Sequence, residues 1–128
     1  SILNTPPTMS IFVLNLVTNW MLEMGGIDYF QNKAHDQSTE IYDFIDSNSN
    51  VLNCKVDNKY RSKSNIVFNF LNDEHNKEFV NLAAKKGIIG INGHRSVGGI
   101  RVSLFNSIDD HMFDYFMKYF QNYVRGIK

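Results

Sequence analysis

The chain has 128 residues, which fits one domain and lets roughly two-thirds of the unfolded surface be buried. Hydrophobic residues make up 43% and charged residues 20%, the balance of an ordinary globular protein. The 13 basic residues offset 13 acidic ones, which argues against a general nucleic-acid or membrane-surface binder and makes any anion site local.

Cys54 is the only cysteine, so no internal disulfide or thiolate metal cluster is expected, and a reducing, cytoplasmic home is the default. No apolar run approaches the ~20 residues of a membrane span. The opening SILNTPPT reads as mid-protein sequence rather than a leader.

The first predicted helix carries Met9, Phe12, Val13, Leu16, Val17, Trp20, Met21 and Met24 at helical spacing, as one inward stripe. Pro6 and Pro7 stand before it, and Gly25 and Gly26 end it. A second helix is expected from about Asp28 to Asp46, with Ile27, Phe30, Ala34, Ile41 and Ile45 inward. The polar DSNSN (46–50) follows as a turn or linker. SNIVFNF (64–70) reads as a strand. Asn72 or Asp73 caps a third helix with Phe79, Leu82 and Ala83 inside, and Gly87 closes it. IIGI (88–91) is expected to be a short strand. IRVSLF (100–105) alternates, with Ile100, Val102 and Leu104 on one face and Arg101, Ser103 and Phe105 on the other. Ser107 and Asp110 resemble a capping box for a last helix with Met112, Phe113, Phe116 and Phe120 buried. The expected fold is α+β: a small, mainly antiparallel sheet with helices packed on it.

GHRSVGGIR (93–101) is the stretch that suggests chemistry. It lacks the spacing of a dinucleotide fingerprint and the Gly-Lys-Ser/Thr of a P-loop. His94 and Arg95 sit on a loop between strands, and Gly98 and Gly99 allow positive φ and close backbone approach. Arg101 opens the next strand on its polar side, where a guanidinium can fork a carboxylate. The His–Arg pair suits a phosphate or a second carboxylate, so the stretch suits a small dianion with two acidic ends. The plainer alternative is a hairpin bend with solvated basic residues.

Other candidates carry less. His35, His75 and His111 read as surface residues, and neither a metal site nor a G-x-S-x-G elbow is visible. Arg61 and Lys63 read as a solvated strand entrance that could add positive potential. Asp109 and Asp110 suit a helix N-terminus, and Asn4 and Thr5 a rigid turn before the prolines.

Several segments together resemble one family. NTPPT (4–8) followed by an amphipathic helix with a tryptophan and GG, YDFID (42–46), YRSKSNIVFNF (60–70) and above all GHRSVGGIRVSLFN (93–106) are similar to the C-terminal small domain of the phosphoserine aminotransferases. The resemblance covers essentially the whole chain. It implies a homodimeric, fold-type I, pyridoxal-phosphate-dependent enzyme of serine biosynthesis. Such an enzyme moves an amino group between glutamate and 3-phosphohydroxypyruvate, giving 2-oxoglutarate and O-phosphoserine. It implies that Arg101 binds the substrate α-carboxylate. His94 and Arg95 would hold the substrate phosphate or the side-chain carboxylate of glutamate, and Asn4 and Thr5 would reach the cofactor phosphate of the neighbouring subunit. Ser96, Phe105, Val67 and Lys63 depart from the usual valine, tyrosine, proline and arginine, and Phe105 loses a hydroxyl.

The family's Schiff-base lysine belongs to a large cofactor-binding domain, and no lysine here occupies its place. The resemblance therefore implies no catalytic residue in these 128 residues and no turnover by them alone. The balanced charge and the lack of a long apolar run give the expectation of no nucleic-acid or membrane partner. A standalone module that binds an amino-acid-like dianion without chemistry, a purely structural domain and a related class-V aminotransferase remain as alternatives.

Overall fold

The computed structural model describes residues 4–127. In chain order these form α1 (Thr8–Glu23), α2 (Gly26–Ser47), β1 (Leu52–Asn53), a 3-10 turn (Asn58–Tyr60), β2 (Asn65–Phe70), α3 (Asp73–Lys85), β3 (Ile100–Ser103) and α4 (Asp110–Gly126). Both strand pairings are antiparallel, in the order β1-β2-β3, and the expected α+β class holds. The chain divides into two compact units, residues 1–33 and 34–128.

The first unit holds α1 and the start of α2. None of α1 is buried, so the expected inward stripe is not inward here. The physical reason lies in the composition. Ile11, Leu14 and Leu22 fall outside that stripe and are apolar too, so the apolar residues spread beyond one face and the polar group of Asn15, Thr18 and Asn19 is narrow. Phe30 is buried, with its ring 5.2 Å from Trp20 and edge-on to Tyr29. Ile27, expected inward, is 76% exposed at the first turn of α2.

The second unit holds the core. Ile66, Phe68 and Phe70 alternate inward along β2, and Ile100 and Val102 do so along β3. Ile41 and Ile45 of α2, Phe79 and Ala83 of α3, and Phe113, Phe116, Phe120 and Val124 of α4 close over that face. Phe68 stacks on Phe120 at 4.8 Å between ring centroids, the geometry that aromatic pairs prefer. One buried polar group is satisfied by design of the strand end: Asn76 Oδ1 accepts from Phe70 N at 2.9 Å.

Three expectations change. IIGI forms no strand; Gly87 and Gly90 adopt φ of +82° and +78°, which breaks an extended run, and only Asn92 bridges to Ile100. Asp109, not Ser107, caps α4, with its side chain accepting from Met112 N at 2.7 Å. That register turns Met112 outward, 57% exposed, and brings Met117 and Tyr119 into the stripe. Asn72 caps α3 as expected, accepting from Glu74 N at 3.1 Å.

Candidate anion-binding site

Residues 92–99 connect the end of the IIGI segment to β3 by a closed turn. Gly93 N donates to Gly99 O at 2.9 Å, and His94 O accepts from Val97 N at 3.0 Å and Gly98 N at 2.7 Å. Gly98 and Gly99 have φ of +74° and +73°, values an L side chain resists, so the expected glycine role is realised. The turn holds His94 and Arg95 exposed. His94 Nδ1 accepts from Ser96 N at 3.2 Å and lies 2.7 Å from Ser96 Oγ. With Nδ1 accepting, neutral His94 carries its proton on Nε2, which makes Nε2 a donor. Ser96 is thus the residue that fixes the ring.

Arg101 lies on the outer, polar face of β3, as its alternation with Ile100 and Val102 requires. It is anchored through its backbone, N to Ile91 O at 2.9 Å, and is half-buried. Its Nε is buried without a hydrogen-bond partner among the described residues. An orphaned guanidinium nitrogen is costly unless something acidic meets it. Across the sheet Val67 pairs with Arg101 and Asn65 with Ser103, and Ser103 Oγ donates to Asn65 Oδ1 at 2.9 Å. Beside Arg101 a cavity of about 470 Å³ is walled by Ile89, Ile91, Phe105, Ile108 and Phe116. No lysine lines it.

The structure separates these groups from the other candidates. Arg61 is no solvated entrance. Its Nη1 lies 2.6 Å from Asp46 Oδ2 and its Nη2 2.8 Å from Asp46 Oδ1, with its guanidinium 4.6 Å from the centre of the Tyr42 ring. The Arg61 hydrogen bonds hold Asp46 below the usual carboxylate range. His75 is half-buried: its Nδ1 is 3.0 Å from Tyr123 Oη, which donates to Glu78 Oε2 at 2.7 Å. Burial, and then the carboxylate of Glu78, push the Tyr123 phenol far up. His35 and His111 are exposed. Asn4 and Thr5 are exposed in the first unit. Among the described residues, no three His, Cys, Asp or Glu side chains gather as a metal site. No single described helix is long and apolar enough to cross a membrane.

Known proteins bear on this arrangement. The sequence model of the family described as Aminotransferase class-V matches residues 3–116. A phosphoserine aminotransferase of Dichelobacter nodosus is 41% identical over 109 residues, covering 85% of this chain and 30% of that protein. One of Bacillus thuringiensis subsp. konkukian is 36% identical over 123 residues, covering 96% of this chain and 34% of that protein. Among solved structures, phosphoserine aminotransferase from Bacillus circulans subsp. alkalophilus superposes with a TM-score of 0.92 at 34% identity. It covers 98% of this chain and 35% of that one. The PLP-bound phosphoserine aminotransferase from Trichomonas vaginalis gives 0.83 at 27% identity, covering 94% of this chain and 34% of that one. The chain thus spans about a third of the length of the relatives it matches.

Proposed function

The chain belongs to the class-V aminotransferase family, and from that premise we propose that it is the C-terminal small domain of a phosphoserine aminotransferase. The parent enzyme is a cytoplasmic homodimer that transfers an amino group between L-glutamate and 3-phosphohydroxypyruvate, in serine biosynthesis. The observation that carries this reading is the glycine-held turn that presents His94 and Arg95, followed by Arg101 with its unpartnered Nε.

Both amino-group donors, glutamate and O-phosphoserine, have an α-carboxylate at one end and a second acidic group at the other. Arg101 takes the α-carboxylate, because a guanidinium on a strand offers two parallel donors in fixed directions. His94 and Arg95 take the distal phosphate or carboxylate; Nε2 of His94 is the free donor, and the turn holds Arg95 beside it. Each such charge-assisted contact contributes about 1.5–3 kcal/mol.

The residues fit one part of pyridoxal phosphate, its phosphate. The amide of Asn4 and the hydroxyl of Thr5 are exposed donors stiffened by Pro6 and Pro7, and on this reading they would hold the cofactor phosphate of the neighbouring subunit. When bound, the cofactor supplies the electron sink for amino-group transfer. The chain would supply orientation, by holding the acid groups at both ends of the substrate. The family's Schiff-base lysine belongs to the large cofactor-binding domain, so on this reading these 128 residues alone turn nothing over.

The test is an assay of the full-length polypeptide for glutamate formation from phosphoserine and 2-oxoglutarate. Arg101→Ala should lower kcat/KM by roughly a hundredfold, equivalent to about 2.7 kcal/mol. A full-length protein inert toward phosphoserine, or indifferent to that substitution, overturns the reading.

A further inference from the structure

The β2–β3 register ends on the pair Phe68–Ile100. The next residue of β2, Asn69, lies on the same outer face as Val67 and pairs with Asn53 of β1 on its other side. Toward β3 it meets Gly99. A Cβ placed on Gly99 would overlap Asn69 Oδ1, and would stand only 2.9 Å from Asn69 Cγ and from Phe68 O. Gly99 in turn receives the hydrogen bond from Gly93 N, and a Cβ on Gly93 would overlap Gly98 O. The three residues therefore stack, the Asn69 amide on Gly99 and Gly99 on Gly93. His94 and Arg95 follow Gly93 directly in the chain, and Arg101 stands two residues after Gly99.

Glycines at positive φ are held by what surrounds them, because they have no side chain of their own to restrict them. Here the turn's own hydrogen bonds hold Gly98, while Gly99 is packed by Asn69. We propose that Asn69 is a positioning residue for the anion site: its amide fills the space of the missing Cβ at residue 99, and so fixes both the His94–Arg95 turn and the direction of Arg101. The functional half of this statement rests on the phosphoserine aminotransferase reading above; the structural half does not.

The experiment is Asn69→Ala in the full-length enzyme, read in two ways. Residue-resolved amide exchange should speed up about tenfold at Gly93 and Gly98, while Leu71 and Leu104, bonded to Val51 O and Ser64 O, keep their rates. KM for phosphoserine should rise about tenfold with kcat within roughly twofold, since a misdirected arginine weakens binding before it alters chemistry. Asn69→Asp preserves the shape and should restore the exchange rates. Unchanged exchange at Gly93 and Gly98, or equal acceleration along all of β2 and β3, overturns the proposal, and so does an unchanged KM in an active enzyme. A wild-type enzyme inert toward phosphoserine removes the functional reading alone, and the exchange rates still decide the role of Asn69.

Discussion

Asp46, near the end of α2, and Arg61, just after the 3-10 turn, meet through two parallel hydrogen bonds of 2.6 and 2.8 Å. Their pairing ties the segment that leads into β2 back onto α2. Tyr42, one helical turn before Asp46, completes the clamp: its ring lies under the guanidinium, and its hydroxyl donates to Ser62 O at 3.0 Å.

Breaking that pair should cost stability in a pH-dependent way. Asp46 has its pKa lowered in the folded state, first by the Arg61 hydrogen bonds. Its contribution is therefore present above the unfolded carboxylate value of about 3.9 and lost as pH falls through the lower folded value. The Asp46 side chain is 48% exposed, so solvent screening keeps the cost of Asp46→Asn to about 1 kcal/mol near neutral pH. Urea unfolding of the two proteins at neutral and at strongly acidic pH should show the gap closing in acid. A gap that stays constant would assign the loss to packing instead.

Tyr119 makes the opposite kind of contribution. It is buried under α3 and donates to Phe79 O at 2.5 Å, and burial pushes its phenol up to about 12. A raised folded pKa in an acid favours the neutral form. The stabilisation is thus complete below the unfolded value of about 10 and disappears as pH rises through about 12. Tyr119→Phe should cost about 1 kcal/mol at neutral pH and remove one high-pH transition from the phenolate absorbance titration. Titration of all the tyrosines near their ordinary value would contradict the burial argument.

These two contacts mark where sequence reading succeeds and where it stops. Local signals were legible: the strand within 64–70, the alternation of Ile100, Val102 and Leu104, the cap at Asn72, and the glycines that let the 93–99 turn close. Contacts between distant residues were not. Arg61 looked solvated because Asp46 stands fifteen positions earlier, and Asn69 carried no signal because its neighbour Gly99 is chosen by strand register. The two residues of β1 are too few to show a period. In α1 the period was real, but Ile11, Leu14 and Leu22 are apolar outside it as well, so the pattern does not say which way the helix faces.

That helix makes its own prediction. Leu14 and Leu22 are exposed on α1, as are Phe12 and Trp20, and an apolar surface of this kind drives association. The 128-residue chain should therefore sediment as concentration-dependent oligomers. Leu14→Lys with Leu22→Lys should shift it toward monomer, with less than about 0.5 kcal/mol change in the stability of the core unit, because surface changes away from packed contacts rarely cost more. Unaltered sedimentation would move the sticky surface elsewhere.

The His94 ring offers a last prediction. Ser96 holds Nδ1 through both its backbone N–H and its hydroxyl, so the proton of the neutral ring is fixed on Nε2. Ser96→Val keeps the backbone hydrogen bond and loses the hydroxyl. The ring then has one anchor instead of two, and its Nε2 donor is less well aimed. If the proposed phosphoserine aminotransferase reading holds, the full-length protein should show KM for phosphoserine raised roughly twofold to fivefold and kcat nearly unchanged, the pattern of weakened ground-state binding. Nitrogen NMR of His94 should show Nε2–H dominant in the wild type and a mixture of tautomers in the variant. An unchanged tautomer balance would mean that the Ser96 amide alone fixes the ring and that the hydroxyl is spare.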